Sequence, residues 1–486
     1  MKKKPLFTSC EWDIPLLEKT WKVIDSIAKN KYGLDFYDPQ IEIVTSDQML
    51  DALASVGLPV YYNHWSFGKT FLNLERDYQK GESGLAYEIV INSNPSIAYF
   101  MENNTMGMQS LVMAHACVGH SAFFKTNYLM KQWTNADGII GYMNYAKNFI
   151  QECEKAHGPG KVERLLDKCH MLERHSIDKY QRKHINKEQK NKKVKDKIKH
   201  TEETYSDLWK TLSTAPDDEV FAVPKPSSLP EENLLYFIEK NSLVLESWER
   251  EVCRIVRQVS QYFYPQVLTK VMNEGFASFW HYTLMNDLYD EGHITEGTYL
   301  EFIINHTNVA NQPAFDSKYY SGLNPYVLGF SIFNDVKRMC LKSTDEDKRF
   351  FPGLEGQDWV AVIKDIATNY QDSSFILQWL SPQVIRDLKL FTLVDEGVSF
   401  QNYIVTTTHE DIDFKHTRMA LSRRYEYEAW FPRIEVTKFS KTPRPQATLT
   451  FYPINDKVIE TDSADLVRNA VSILMGCDIQ LYLEVK

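Results

Sequence analysis

Seven cysteines in 486 residues, at Cys10, Cys117, Cys153, Cys169, Cys253, Cys340 and Cys477 and with no CxxC pair among them, exclude a disulfide framework as the basis of the fold. The odd, scattered count suits a reducing compartment, where most such thiols pack as small buried hydrophobes. There is also no run of about 18 uncharged apolar residues, so no membrane-spanning helix is expected. The first residues are basic, but Glu11 and Asp13 arrive before any apolar stretch long enough for a signal peptide. The chain is therefore expected to stay in the cytoplasm. Positive charge is in deficit as well. A formal net charge of -10 and a pI near 5.8 argue against non-specific attraction to nucleic acid or an anionic membrane. No GxSxG elbow, GxxxxGK[ST] phosphate loop or GxGxxG fingerprint occurs, which removes the common hydrolase, nucleotide and dinucleotide motifs.

What the chain does have is aromatic mass, with 27 Tyr, 26 Phe and 10 Trp, and a hydrophobic content of 43%, enough for sizeable cores. Leu17, Trp21, Ile24, Ile27 and Ala28 recur at helical spacing, and Tyr87 to Pro95 reads as a short strand closed by a turn. Between them the run Tyr61-Tyr-Asn-His64-Trp-Ser-Phe-Gly68-Lys69 reads as an aromatic loop. Helices are predicted over 108–124 and 139–180, the latter broken near Gly158-Pro-Gly160. Others are predicted over 272–289, 298–309, 324–340 and 358–370. Trp248, Val252, Ile255, Val256, Val259, Tyr262 and Phe263 mark a further helix that Pro265 is expected to interrupt. From Lys179 to His200 there are ten Lys/Arg against two Asp/Glu. That run is either a solvated segment or a docking surface for an acidic partner.

After about residue 430, alternating strands at Arg433–Phe439, Ala447–Tyr452 and Ile479–Val485 flank a helix near 463–475. The expected class is α+β. A predominantly helical N-terminal domain (1–215) with a short strand element is joined by a Pro-bearing connector (216–230) to a central helical region (231–428). A small α+β domain (429–486) follows.

The most pointed chemistry lies in Ala114-His115-Ala-Cys117-Val-Gly119-His120, two imidazoles in one apolar helix. An unpaired buried polar group costs roughly 1–3 kcal/mol, and a shared metal would satisfy both rings. Metal-binding histidines on a regular helix sit at i and i+4, whereas these are at i and i+5, about 140° apart, so a bulge or break near Gly119 is needed to aim both at one ion. Glu274 and His281, seven residues apart, share a face of a second helix, and Glu163, Asp167 and His170 line a third. Helices that donate Glu and His inward build di-iron and zinc sites. Each Glu/His pair equally suits an ion pair or a satisfied core network, and the residues alone leave both open. His306, near the end of a helix, reads as part of a polar network. Cys117 lies within reach of His120 on a helix, which allows a nucleophilic thiol.

Six ordered blocks, Tyr62-Asn-His-Trp-Ser-Phe-Gly-Lys69, Tyr87–Pro95, Ala114–Lys125, Gln261-Tyr-Phe-Tyr-Pro-Gln266, Met272–Tyr282 and Asn324-Pro-Tyr-Val-Leu-Gly-Phe330, resemble signatures of the SpoVR (stage V sporulation protein R) family, and the likeness extends over nearly the whole chain. The resemblance implies a role in formation of the spore cortex or, in bacteria that do not sporulate, in a related stress or envelope programme. It also implies two partners from the family's gene neighbourhood, a PrkA-type serine kinase and a protein with a von Willebrand A-like domain. Gly119-His120 followed by Asn273-Glu274-Gly275 is also similar to zinc peptidases whose HExGH helix is completed by a later glutamate. Here Ala116 stands where their catalytic glutamate would, and the histidine spacing is one residue longer.

The expectation is a divalent transition metal, zinc or iron, held by His115, His120 and Glu274, with His281, His170 or Glu163 as further ligands or supports, serving hydrolysis of an amide or related bond. The alternative is a non-catalytic scaffold or regulator that works with the serine kinase.

Overall fold

The computed structural model describes residues 4–55, 57–58, 61–79, 88–181, 230–314, 317–390, 392–394, 404–406, 411–453 and 461–484. The basic run beyond Gln181, the connector up to Leu229, and His184, His200 and His409 lie outside the described residues. The class is α+β and mostly helical, as the periodicities predict. Two compact units are each assembled from two stretches of chain. One comprises residues 1–151 and 262–427, the other 152–261 and 428–486.

The first unit is built around the helix Lys270–Asp290. Its apolar residues do not keep to one stripe. Met272, Phe276, Phe279, Trp280, Leu284 and Leu288 are all 0–1% exposed, which places the helix in the middle of the core. Burying each such side chain contributes about 1.5–3 kcal/mol. Thr269 offers this helix no side-chain cap, and Asp372 supplies one instead, accepting the N–H groups of Val271 and Met272 at 2.8 Å each. At the other end Asp287 accepts from Lys31 and from the Tyr32 hydroxyl, both at 2.7 Å, which fastens the helix Ile14–Tyr32 to it.

Two backbones press on this central helix, and glycine permits both approaches. A Cβ on Gly119 would lie 2.5 Å from Ala277 Cα. On the opposing helix Pro325–Leu341, a Cβ on Gly329 would lie 2.2 Å from the Val271 carbonyl oxygen. A three-stranded sheet completes this part: β1 (Pro39–Val44) pairs parallel with β3 (Ser96–Met101), and β2 (Glu88–Ile91) pairs antiparallel with β3. Further on, β4 (Thr392–Val394) and β5 (Ile404–Thr406) form a two-stranded antiparallel pair.

In the second unit β6 (Arg433–Ser440) pairs antiparallel with β7 (Gln446–Tyr452), and the helix Thr461–Met475 returns the chain to β8 (Asp478–Leu483), parallel to β7. Ile434, Val436, Leu449 and Phe451 bury one face of these strands, and Val471 and Leu474 are buried on the helix. The helices Pro159–Leu172 and Leu234–Asn241 belong to the same unit.

Two local expectations are corrected. The helix Ser247–Leu268 runs through Pro265 rather than stopping before it, because buried Tyr262, Tyr264 and Leu268 reward continued helix more than one lost N–H bond costs. The aromatic segment read as a loop becomes helical from Trp65 to Gln79. The His64 ring accepts the Ser66 N–H at 3.3 Å and so satisfies one of the donors that every helix start leaves open.

Candidate metal centre

Residues Met106 to Thr126 form one continuous helical stretch whose middle, Met113–His120, is a π-helix between α-helical turns. The wider winding pairs residues five apart instead of four, and this is the departure that the His115–His120 spacing demands. The two rings therefore share a face, with centroids 4.6 Å apart and planes at 88°. Gly119 makes the arrangement possible by letting the π segment close onto Ala277 of the central helix, one turn from Glu274.

Glu274 meets both histidines. Its Oε2 lies 3.4 Å from His120 Nε2 and 3.9 Å from His115 Nε2. Among the described residues these three form the only group of three or more candidate ligands, with ligand atoms all within 4.8 Å of one another. Two atoms each about 2.1 Å from one tetrahedral ion would stand about 3.4 Å apart, the His120–Glu274 separation. The His115 distance is about half an ångström wider.

The outer nitrogens are held. His120 Nδ1 lies 2.9 Å from Asn273 Oδ1, a carbonyl oxygen that only accepts, so Nδ1 bears a proton and Nε2 is the nitrogen that faces Glu274. His115 Nδ1 lies 2.8 Å from His281 Nδ1, and His281 Nε2 lies 2.8 Å from His306 Nδ1. Burial, with the neighbouring imidazoles, holds His115 and His281 well below the ordinary histidine value, and the Ala277 carbonyl beside His115 only partly offsets this. Burial also takes His306 down to about 4. All three rings are neutral at physiological pH.

Glu274 Oε2 is enclosed and, among the described residues, has no hydrogen-bond donor. An enclosed carboxylate oxygen thus faces two imidazole nitrogens inside the protein. The donor set of two imidazoles and one carboxylate fits a divalent ion such as zinc or iron.

The sequence gives no sign of Glu88. It opens β2, and its Oε1 lies 3.8 Å from His115 Nε2. Burial, and then the Glu274 carboxylate, pushes Glu88 up to about 8. Tyr326, whose ring lies 6.4 Å from His115, is raised well above the ordinary phenol by burial and by the Glu274 and Glu88 carboxylates. His281, expected as a ligand or support, is one hydrogen bond behind His115. Glu163 and His170 belong to the second unit, on the helix Pro159–Leu172, where Glu163 is exposed and neither residue belongs to the three-ligand group. Cys117 is fully buried, and burial, then Glu88, pushes its thiol far above the ordinary value, which favours the thiol over the reactive thiolate.

The profile of the family described as SpoVR like protein matches residues 11–429. The chain belongs to the SpoVR family. The six ordered motifs all lie within that span, and four of them carry Glu88, His115, His120, Glu274, His281 and Tyr326. A SpoVR-family relative, named only as the uncharacterized protein YcgB of Escherichia coli (strain K12), is 46% identical over 475 residues, covering 97% of this chain and 92% of its own length. No solved structure matches the chain. Among the described residues, no helix is long and apolar enough to cross a membrane.

Proposed function

We propose that this SpoVR-family chain is a cytoplasmic metal-dependent hydrolase whose divalent ion, zinc or iron, is held by His115, His120 and Glu274. The observation that carries the reading is the enclosed Glu274 Oε2, which has no hydrogen-bond donor among the described residues and lies 3.4 Å from His120 Nε2, a ring that Asn273 holds from its other nitrogen. An ion with an open position supplies a Lewis acid for hydrolysis of an amide or related bond. The chain's own groups complete the site. Asn273 and His281 hold the Nδ1 atoms and so aim the two Nε2 atoms. Glu88 reaches the same place from β2 and holds a carboxyl group 3.8 Å from His115 Nε2.

Family membership supports a place in spore cortex formation or a related stress and envelope programme. A PrkA-type serine kinase and a von Willebrand A-like protein are the proposed partners, on the gene neighbourhood typical of the family.

Elemental analysis of untagged protein never exposed to chelator tests the metal. Near-stoichiometric zinc or iron is expected in the native chain, with loss in a His115→Ala/His120→Ala double variant. Less than about 0.1 equivalent of every transition metal in the native chain would sink the proposal.

A further inference from the structure

Behind the metal position three imidazoles are joined by two hydrogen bonds, each between a pair of ring nitrogens. Each bond needs one proton between its two nitrogens, and each neutral ring carries one N–H. Together these conditions leave two arrangements of the whole chain. In one, His115 donates from Nδ1 to His281, His281 donates from Nε2 to His306, and His306 carries its N–H on Nε2. In the other, His306 donates from Nδ1 to His281, His281 donates from Nδ1 to His115, and His115 carries its N–H on Nε2. Intermediate patterns leave two N–H groups, or two lone pairs, pointing at each other across 2.8 Å.

We propose that occupancy of the metal position decides between these two arrangements, so that His281 and His306 are positioning residues that carry the state of the site out to His306 Nε2. The inference rests on the metal reading above. With no ion, the second arrangement turns the His115 Nε2–H toward Glu88 Oε1 and Glu274 Oε2, 3.8 and 3.9 Å away. Ligation requires a lone pair on that nitrogen, which exists only in the first.

Conversion from the second to the first conserves protons. One leaves His115 Nε2 for solvent, one passes from His281 Nδ1 to His115 Nδ1, one passes from His306 Nδ1 to His281 Nε2, and one is taken from solvent by His306 Nε2. No ring changes charge. His306 is the outermost of the three, at 8% exposure against 3% for His115 and 2% for His281. His120 takes no part, because its Asn273 partner is an acceptor in both states.

The test is a long-range proton–nitrogen correlation spectrum of the full chain with isotope-labelled histidine, first stripped by chelator and then given stoichiometric Zn2+ alone. His306 is expected to move from the Nδ1–H to the Nε2–H form on loading while His120 keeps its Nδ1–H. In His281→Phe, zinc binding is expected to weaken by about 10–100-fold, the usual loss on removing a group that orients a ligand, and His306 no longer responds. Ligation signals at His115 and His120 with an unchanged His306 would overturn the relay and leave the metal site standing. A His306 response that persists in His281→Phe would do the same. Absence of any zinc response at His115 and His120 would overturn both. Should His281→Phe not fold, His306→Phe replaces it, and unchanged zinc affinity there would count against the relay.

Discussion

His120 Nε2 and Glu274 Oε2 face each other at 3.4 Å, and that carboxylate oxygen has no hydrogen-bond donor among the described residues. On the proposed metal reading, burial of this carboxylate is a cost that a bound cation offsets. Glu274→Gln should therefore separate stability from binding. After chelator treatment, the variant is expected to unfold at the same temperature as wild type or higher, with a gain of up to about 1–3 kcal/mol. Its zinc affinity should fall by more than the roughly 10–100-fold that loss of an outer partner costs. Thermal melts and zinc titration calorimetry on the same two proteins check both. A variant that is markedly less stable than wild type and binds zinc normally would refute the assignment.

Gly119 is where the π segment touches the central helix. In Gly119→Ala the new methyl would stand 2.5 Å from Ala277 Cα, which is backbone and has no rotamer by which to yield. The helices must part, at a cost of about 1–3 kcal/mol, and His115 and His120 move away from Glu274 with them. Zinc affinity and melting temperature are both expected to drop. Gly141→Ala, inside the helix Ile139–His157 where a Cβ meets nothing within 4 Å, is the control: zinc affinity should be unchanged and the melting temperature unchanged or slightly higher.

His175, in the second unit, reports on pH. Burial, and then the nearby Lys179, brings its imidazole down to about 4 from the ordinary 6.5, against a smaller upward pull from the Pro432 carbonyl. The folded state holds this ring neutral, whereas the unfolded chain takes up a proton once the pH falls below 6.5. The contribution is fully present above that value and is lost as the pH falls toward about 4. Denaturant unfolding in that window should show stability decreasing with acidity, and His175→Gln should flatten part of the slope. A wild-type slope that the variant keeps unchanged would contradict the assignment.

Much of the site is legible in the chain. Two imidazoles in an apolar run need partners, and their five-residue spacing calls for a departure from regular helix, which the π segment provides. Glu274 stands seven residues before His281 on a face that does turn toward them. Glu88 is not legible, because strand alternation says which way a side chain leans but not which distant helix the strand lies against. His306 reads correctly as part of a polar network, yet its partner His281 sits on another helix, 25 residues away, and no local period links them. The Glu163, Asp167 and His170 stripe forms on its helix as the spacing predicts, but spacing cannot say which unit of the fold a helix joins. Pro265 shows the same limit for secondary structure, since the burial that carries the helix past it comes from tertiary packing.

The central claim is that one ion sits between His115, His120 and Glu274, and the most direct measurement is an anomalous-scattering crystal structure of untagged protein loaded with zinc. The account predicts a single strong anomalous peak at about 2.0–2.2 Å from His115 Nε2, His120 Nε2 and a Glu274 oxygen. Crystals that bind zinc elsewhere, with the His120–Glu274 contact unchanged and no peak between them, would contradict it.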